Sequence, residues 1–363
     1  MQTESLEFLK RLMDTICPSG YESEAAEVWT QEAKRFADKV WGDQHGNAYA
    51  LVNEGGGPRE GGPRVMLAGH MDEIGLLITH IDEKGFLTFS TIGGWDPQIL
   101  PGHRVWIRTK KGRVLGILGK KPIHLMEPKE RENAVKIENL WIDIGATDKE
   151  DAESMVEIGD PAVIALGFEE MPNNLVVSRG FDDRVGSFVV LEAARLLAQM
   201  NPSCEVIAVA TVQEEIGLRG ATTSAYNLDA KIGFAVDVDF ATDFPTMESE
   251  KKKHGEVLMS KGPSITRGAN VNPALFELMK QTADANEIPV QQTAYPSGTG
   301  TDANAMQLSR AGMATGLVGI PNRYMHTPGE IVHLDDLENC ARLLAHTIEK
   351  IDASTNLLFP AYD

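Results

Sequence analysis

Residues 65–81 read VMLAGHMDEIGLLITHI. VMLAG has the texture of a strand buried on both faces, whereas LLITHI opens a run of short, glycine-punctuated β segments. Between the two stand His70, Asp72 and Glu73. Each such group costs about 1–3 kcal/mol if it is buried without a partner, and more if it is charged. The stretch therefore marks a change of structural unit and a place where something must pair with an imidazole and its neighbouring carboxylates.

Upstream of it, residues 4–15 and 22–37 place apolar side chains at helical spacing, with CPSGYES as the break between them. NAYALVN (47–53) predicts a strand, and GGGPREGGPR (55–64) a solvated turn before the quoted stretch. Downstream come LLITHI, GFLTFSTI, HRVWIRT, GRVLGILG, LWIDIG and PAVIALG, runs whose spacing predicts a small barrel or sandwich. From Asp183 the texture turns α/β. The helical RVGSFVVLEAARLLAQM precedes the strand EVIAVATV; KIGFAVDV, a helix near 273–286, MATGLVGI and a last helix near 335–352 follow. At 363 residues the chain exceeds the usual single-domain range of roughly 50–250. The simplest organisation is a layered α/β domain formed by 1–72 and 176–363, with a β-rich domain, 73–175, inserted into it.

With 34 Lys and Arg against 53 Asp and Glu, the net charge is −19, which argues against nucleic acid or an anionic membrane as partner. The three cysteines form no CxxC pair, a sparse count that fits a reducing compartment, and the cytoplasm is expected. The first residues lack an apolar signal core, and no stretch approaches the ~20 residues of a membrane span.

Five sites put His or acidic residues at the ends of apolar strands, where an α/β sheet carries its ligand crevice. In HMD, His70 and Asp72 project to one side of a strand. In SRGFDDRVG, one of Asp182 and Asp183 can cap the following helix, but two adjacent carboxylates exceed what capping needs. In VATVQEEIGLRGA, Glu214 and Glu215 follow a continuous apolar strand; a helix dipole alone also favours acid in a first turn. In GFAVDVDF, Asp237 and Asp239 share one parity, and the spacing does not choose between them. His326 in GIPNRYMHTPGE follows an apolar run. Mixed His and carboxylate ligation suits divalent metals used for hydrolysis, and no CxxC or HExxH competes for one. The other histidines are read as structural or exposed, and GGW (93–95) as a glycine-rich loop. PSGTGTDAN (296–304) lacks the lysine of a phosphate-binding loop.

AGHMDEIG, GFDDRVG, QEEIGLRGA, AVDV and IPNRYMHTPGE, in this order and spacing, resemble the tetrahedral aminopeptidases. These are co-catalytic metallopeptidases that include glutamyl, leucyl and lysyl aminopeptidases, some of them mislabelled as endoglucanases. The resemblance implies a layered α/β catalytic domain of the zinc-aminopeptidase type with an inserted, small β-barrel-like (PDZ-like) domain that drives dimerisation. It also implies dimers assembling to a dodecamer and short peptides with a free N-terminus as substrates. Two divalent metal ions per subunit are implied, Zn2+ first and Co2+ or Mn2+ as alternatives. By position, His70 and His326 each bind one ion, Asp182 bridges them, and Glu215 and Asp237 complete the two sets. Asp72 orients a ligand and Glu214 is the general base for a hydroxide held between the ions. A cis peptide at Asp182–Asp183 is implied as well, and Thr301 and Asp302 are placed near the substrate pocket. Three ligand carboxylates against two divalent ions leave one positive charge, which that hydroxide cancels, so the site tolerates burial. The competing readings are a related metal-dependent N-deacylase, a glycoside hydrolase working with two carboxylates and no metal, and a non-catalytic assembly protein. The second gives His70 and His326 no task, and the third has no use for Glu214.

Overall fold

The structure, a computed structural model, describes residues 1–55 and 62–358. The turn expected at 55–64 falls largely outside the described residues. The chain opens with helices Thr3–Met13 and Ser23–Ala33, then a hairpin of β1 (Lys39–Gly42) and β2 (Ala48–Val52), then β3 (Arg64–His70). Six strands follow: β4 (Gly75–Ile81), β5 (Leu87–Ile92), β6 (Arg104–Thr109), β7 (Gly112–Gly119), β8 (Trp141–Asp143) and β9 (Pro161–Ile164). After β10 (Glu169–Glu170) and β11 (Leu175–Ser178) comes the helix Phe181–Met200. Next are β12 (Glu205–Thr211), helix Arg219–Leu228, β13 (Ile232–Phe240), β14 (Ser264–Gly268), helix Pro273–Ala285 and β15 (Gln291–Tyr295). The short helix Asp302–Met306, β16 (Ala314–Asn322), β17 (Glu330–His333) and the helix Leu334–Glu349 complete the chain.

Eight strands form one sheet in the order β1-β2-β12-β3-β13-β16-β14-β15. Its centre is parallel: β12 with β3, β3 with β13, and β13 with β16. These four strands are buried along almost their whole length, as a parallel sheet covered on both faces requires. Alternation on β13 shows both covers. Phe234 packs with Met279 of Pro273–Ala285 beside Gly316, and Gly233 lies against Met306 of Asp302–Met306. Because the central strands run the same way, their carboxyl ends come together, with Thr211 beside His70 and Asp237 beside Gly319.

The stretch after His70 does change unit. Strands β4-β5-β8-β7-β6-β9 close into a barrel, which resolves the choice between barrel and sandwich. The barrel has its own core, built on Leu76, Ile78, Phe89, Val105, Ile107 and Ile142. Fold class is therefore mixed α/β, with a small closed barrel between two portions of the α/β chain.

One contact sets the depth at which the site forms. Helix Phe181–Met200 lies so close on β3 that a Cβ built on Gly69 would sit 2.4 Å from the carbonyl carbon of Gly186. A backbone approach of this kind leaves no room for a methyl. Gly69→Ala is expected to lower unfolding stability by about 1–3 kcal/mol, read as a shift of the denaturant midpoint at unchanged m-value.

Candidate metal centre

His70 ends β3, Asp237 lies just past the middle of β13, and Glu214 and Glu215 occupy the turn after β12. Asp182 starts the helix Phe181–Met200, and His326 lies in the loop after β16. All six border one place at the carboxyl end of the sheet. Asp182 is the hinge of the arrangement: its Oδ1 lies 3.2 Å from His70 Nε2 and its Oδ2 lies 3.2 Å from His326 Nε2. Glu215 Oε2 is 3.3 Å from His326 Nε2, and Glu214 Oε2 is 3.7 Å from His70 Nε2. Two groups of donors result, His70–Asp182–Asp237 and Asp182–Glu215–His326, each with its ligand atoms within 4.8 Å of one another. The parity that left Asp237 and Asp239 equivalent is broken here. Asp237 joins a donor group, while Asp239 turns to Ser264 Oγ and Tyr295 Oη, at 2.6 and 3.2 Å.

The backbone around these side chains is held by further buried carboxylates. Asp183 accepts the N–H of Gly186 at 3.0 Å, the capping role expected of one aspartate of the pair, and the N–H of His70 at 3.2 Å. Asp182 and Asp183 depart from helical dihedrals and the bond between them is cis. Asp72 accepts Ser19 Oγ–H at 2.6 Å and the N–H groups of Glu214 and Glu215 at 3.1 and 3.2 Å. Glu73 meets the guanidinium groups of Arg184 and Arg179 at 3.1 and 3.4 Å. The acids of the opening stretch thus have protein partners, and His70 has Asp182.

Sequence reading missed three contributors. Glu330 is buried and accepts the N–H of Asp182 at 3.0 Å and of His326 at 2.9 Å, tying two segments of the donor cluster together. Its only advance signal was a glutamate four residues beyond His326. The carbonyl of Gly94, in the GGW loop read only as glycine-rich, accepts from His326 Nδ1 at 2.9 Å. The backbone carbonyl of Asp72 does the same for His70 Nδ1 at 3.1 Å. A carbonyl only accepts, so both rings carry a proton on Nδ1, and Nε2, the nitrogen facing Asp182, is the one free to ligate once it gives up its own proton.

The cavity in front of these groups holds about 480 Å³ and is lined by Asp182, Glu214, Glu215, Asp237 and His326 at one end. Thr301 also lines it; Asp302 is buried beneath, its Oδ2 accepting Thr211 Oγ1–H at 2.6 Å. Electrostatically the place lacks positive charge. Burial pushes Glu214 up to about 10, and the charges of Asp237, Asp302 and Glu215 add to this against His70. Burial also drives Asp237 well above the carboxylate range and raises Glu215. Burial works against ionised imidazoles, yet the surrounding carboxylates overcome it, lifting His70 well above its ordinary value and His326 to about 11. For Asp182 burial is likewise outweighed, here by hydrogen bonds from His326 and His70, and its carboxyl is held below the usual range. The protein's own groups therefore retain protons among these carboxylates unless another cation balances them. Glu215 Oε1 and Asp302 Oδ1 are buried with no hydrogen-bond partner. Imidazole Nε2 atoms that a cation can claim in place of a proton, carboxylates arranged around a shared aspartate and an orphaned carboxylate oxygen all fit divalent cations with N and O preference.

A sheet with a parallel centre and His and carboxylate donors gathered at its carboxyl ends is an arrangement suited to a metal-dependent hydrolase. Residues 46–343 match the M42 glutamyl aminopeptidase family, and the chain belongs to that family. It is 34% identical to a lysyl aminopeptidase of Pyrococcus furiosus, over 95% of this chain and 97% of that one. Among solved structures it is similar to a TET aminopeptidase from Thaumarchaeota archaeon SCGC AB-539-E09, with 36% identity, a TM-score of 0.90 and coverage of 96% and 97% of the two chains. It is also similar to the TET1 peptidase of Pyrococcus horikoshii, which assembles into a tetrahedron or a large octahedral shell. There the identity is 33%, the TM-score 0.83 and the coverage 96% of this chain and 100% of that one. The resemblance read in the sequence is therefore the family to which the chain belongs.

The raised values carry a pH signature. Groups with folded values above their unfolded ones, 6.5 for His326 and 4.5 for Glu214, stabilise the fold at low pH and lose that contribution as pH climbs through about 10–11. The melting temperature of chelator-treated protein should fall steadily from pH 6.5 to 10, and saturating zinc should remove most of that fall. A flat or rising profile without metal would contradict the charge assignment.

Proposed function

We propose that this aminopeptidase removes the N-terminal residue of short peptides with two divalent cations held in the cavity. Zinc is the ion favoured by the donor set, with cobalt and manganese compatible. His70, Asp182 and Asp237 hold one cation; Asp182, Glu215 and His326 hold the other. The observation that carries this reading is Asp182, whose two oxygens each face the Nε2 of a different histidine at 3.2 Å. When bound, such cations would supply Lewis acidity for the scissile carbonyl and lower the pKa of a bound water.

The protein's own part follows from its geometry. Glu214, at the cavity wall and outside both donor groups, takes the proton of the attacking water on a carboxylate oxygen and passes it to the leaving amine. Asp72 fixes the backbone of both Glu214 and Glu215, so the base and its neighbouring ligand move as one. Asp72 O and Gly94 O hold the two imidazoles in the ligating tautomer. Thr301 borders the space for the substrate, with Asp302 supporting the wall behind it.

Assembly and location belong to the same reading. Residues 73–175 form an inserted domain that pairs subunits into dimers, and the dimers build a dodecamer. Support comes from the assemblies of the similar TET1 peptidase and from Leu115, Ile117, Ile123 and Leu125, apolar and exposed in the barrel region. Cys17, Cys204 and Cys340 are all unpaired and buried, which favours the cytoplasm. No described helix is long and apolar enough to cross a membrane.

Chelation should abolish release of aminoacyl reporters, and zinc, cobalt or manganese should restore it. An N-acetylated peptide should stay intact, whereas an N-deacylase would prefer it. Glu214→Gln is expected to lower kcat by about 10²–10⁴-fold while metal analysis still finds two ions per subunit. Glu215→Gln is expected to lower metal occupancy instead. Retained activity in Glu214→Gln would remove the base assignment.

A further inference from the structure

The cavity extends well beyond the donor groups, and its far end has a chemistry of its own. Leu218, Leu317 and Met325 give it apolar walls, and Thr266, Tyr295 and Asp239 line it too. Asp237 and Asp239 stand two residues apart on β13, so their side chains leave the same face about 7 Å from each other. One end of the space is thus set by a proposed ligand and the other by a carboxylate that belongs to neither donor group.

Asp239 is a buried acid without a matching cation. A carboxylate offers about four acceptor positions. Three are filled: Oδ1 accepts from Phe240 N–H at 2.9 Å and Tyr295 O–H at 3.2 Å, and Oδ2 accepts from Ser264 O–H at 2.6 Å. One position on Oδ2 remains. Among the described residues no lysine or arginine lines the cavity. The cation-capable group that acts on Asp239 is His254, which stacks on the Tyr295 ring at 4.7 Å and faces Glu250 at 3.9 Å. A chain built to receive an acidic side chain here would need a cation at this end, and the described lining holds none.

We propose that this end of the cavity receives the side chain of a basic N-terminal residue, lysine or arginine, with Asp239 as its counter-charge. The inference rests on the aminopeptidase reading and adds the substrate class to it. An α-carbon held beside the Asp237 end places a four-methylene stem along the apolar walls and its ammonium near the open acceptor of Asp239. A leucine side chain fills the walls but strands that carboxylate away from water, and a glutamate meets it with like charge. The expected order of preference is lysine and arginine, then leucine, then glutamate.

The test measures kcat/KM of the metal-loaded enzyme on the p-nitroanilides of lysine, arginine, norleucine, leucine and glutamate. Norleucine keeps the lysine stem without its ammonium. The wild type is expected to favour lysine over norleucine at least tenfold and to act least on glutamate. Asp239→Asn is expected to cut the lysine-to-norleucine ratio at least tenfold; the ratio is taken within one preparation, so partial loss of fold or metal cancels. If that variant does not fold, the wild-type lysine-to-norleucine ratio decides alone. Norleucine equal to or better than lysine in the wild type, or an unchanged ratio in Asp239→Asn, would overturn the proposal. Five inert substrates with metal bound would overturn the aminopeptidase reading first and this inference with it.

Discussion

The structure depends on bringing Asp182, Glu214, Glu215 and Asp237 to one place where water is largely excluded. Like charges at such separations repel strongly, and burial removes the solvent that would screen them. Protein cations do not solve this. The buried guanidinium groups, Arg184 and Arg179, are spent on Glu73 and on carbonyls of the segment that follows helix Thr3–Met13. Among the described residues two imidazoles enter the cluster, and each carries positive charge only while it keeps a second proton. The charge balance is left to be completed from outside, and the donor geometry specifies divalent ions as what completes it.

Holding that arrangement takes a second layer of acids. Asp72, Asp183 and Glu330 point at backbone N–H groups, each joining segments far apart in sequence. Their partners are peptide dipoles rather than cations, so the surroundings stay rigid without adding positive charge that would compete with metal. The barrel also takes part, because Gly94 between β5 and β6 orients His326. This contact links the inserted strands to the chemistry and gives a physical reason for a loop that would otherwise be generic.

Much of this was legible beforehand. Continuous apolar runs ending in acid marked β3, β12 and β13, and the change of texture after Gly75 marked the barrel, because both signals arise from burial on one or two faces. The donor residues were visible as misplaced polarity, though their grouping came from a resemblance rather than from spacing. The short strands β14 and β15, SITRG and QQTAY, carry too little periodicity to be seen and depend on pairing at the sheet edge. Gly94 and Glu330 were invisible for a different reason: each acts through a single hydrogen-bonding group whose meaning exists only once distant segments meet. The choice between Asp237 and Asp239 likewise needed the third dimension, since both face one way and only the approach of Ser264 and Tyr295 separates them.

Anomalous diffraction from crystals soaked in zinc, recorded on both sides of the zinc edge, probes the balance of charge at its source. Two peaks are predicted, one among His70, Asp182 and Asp237 and the other among Asp182, Glu215 and His326, with the Asp182 carboxylate between them. A fully soaked crystal with these side chains in place and no peak touching Asp182 would contradict the account.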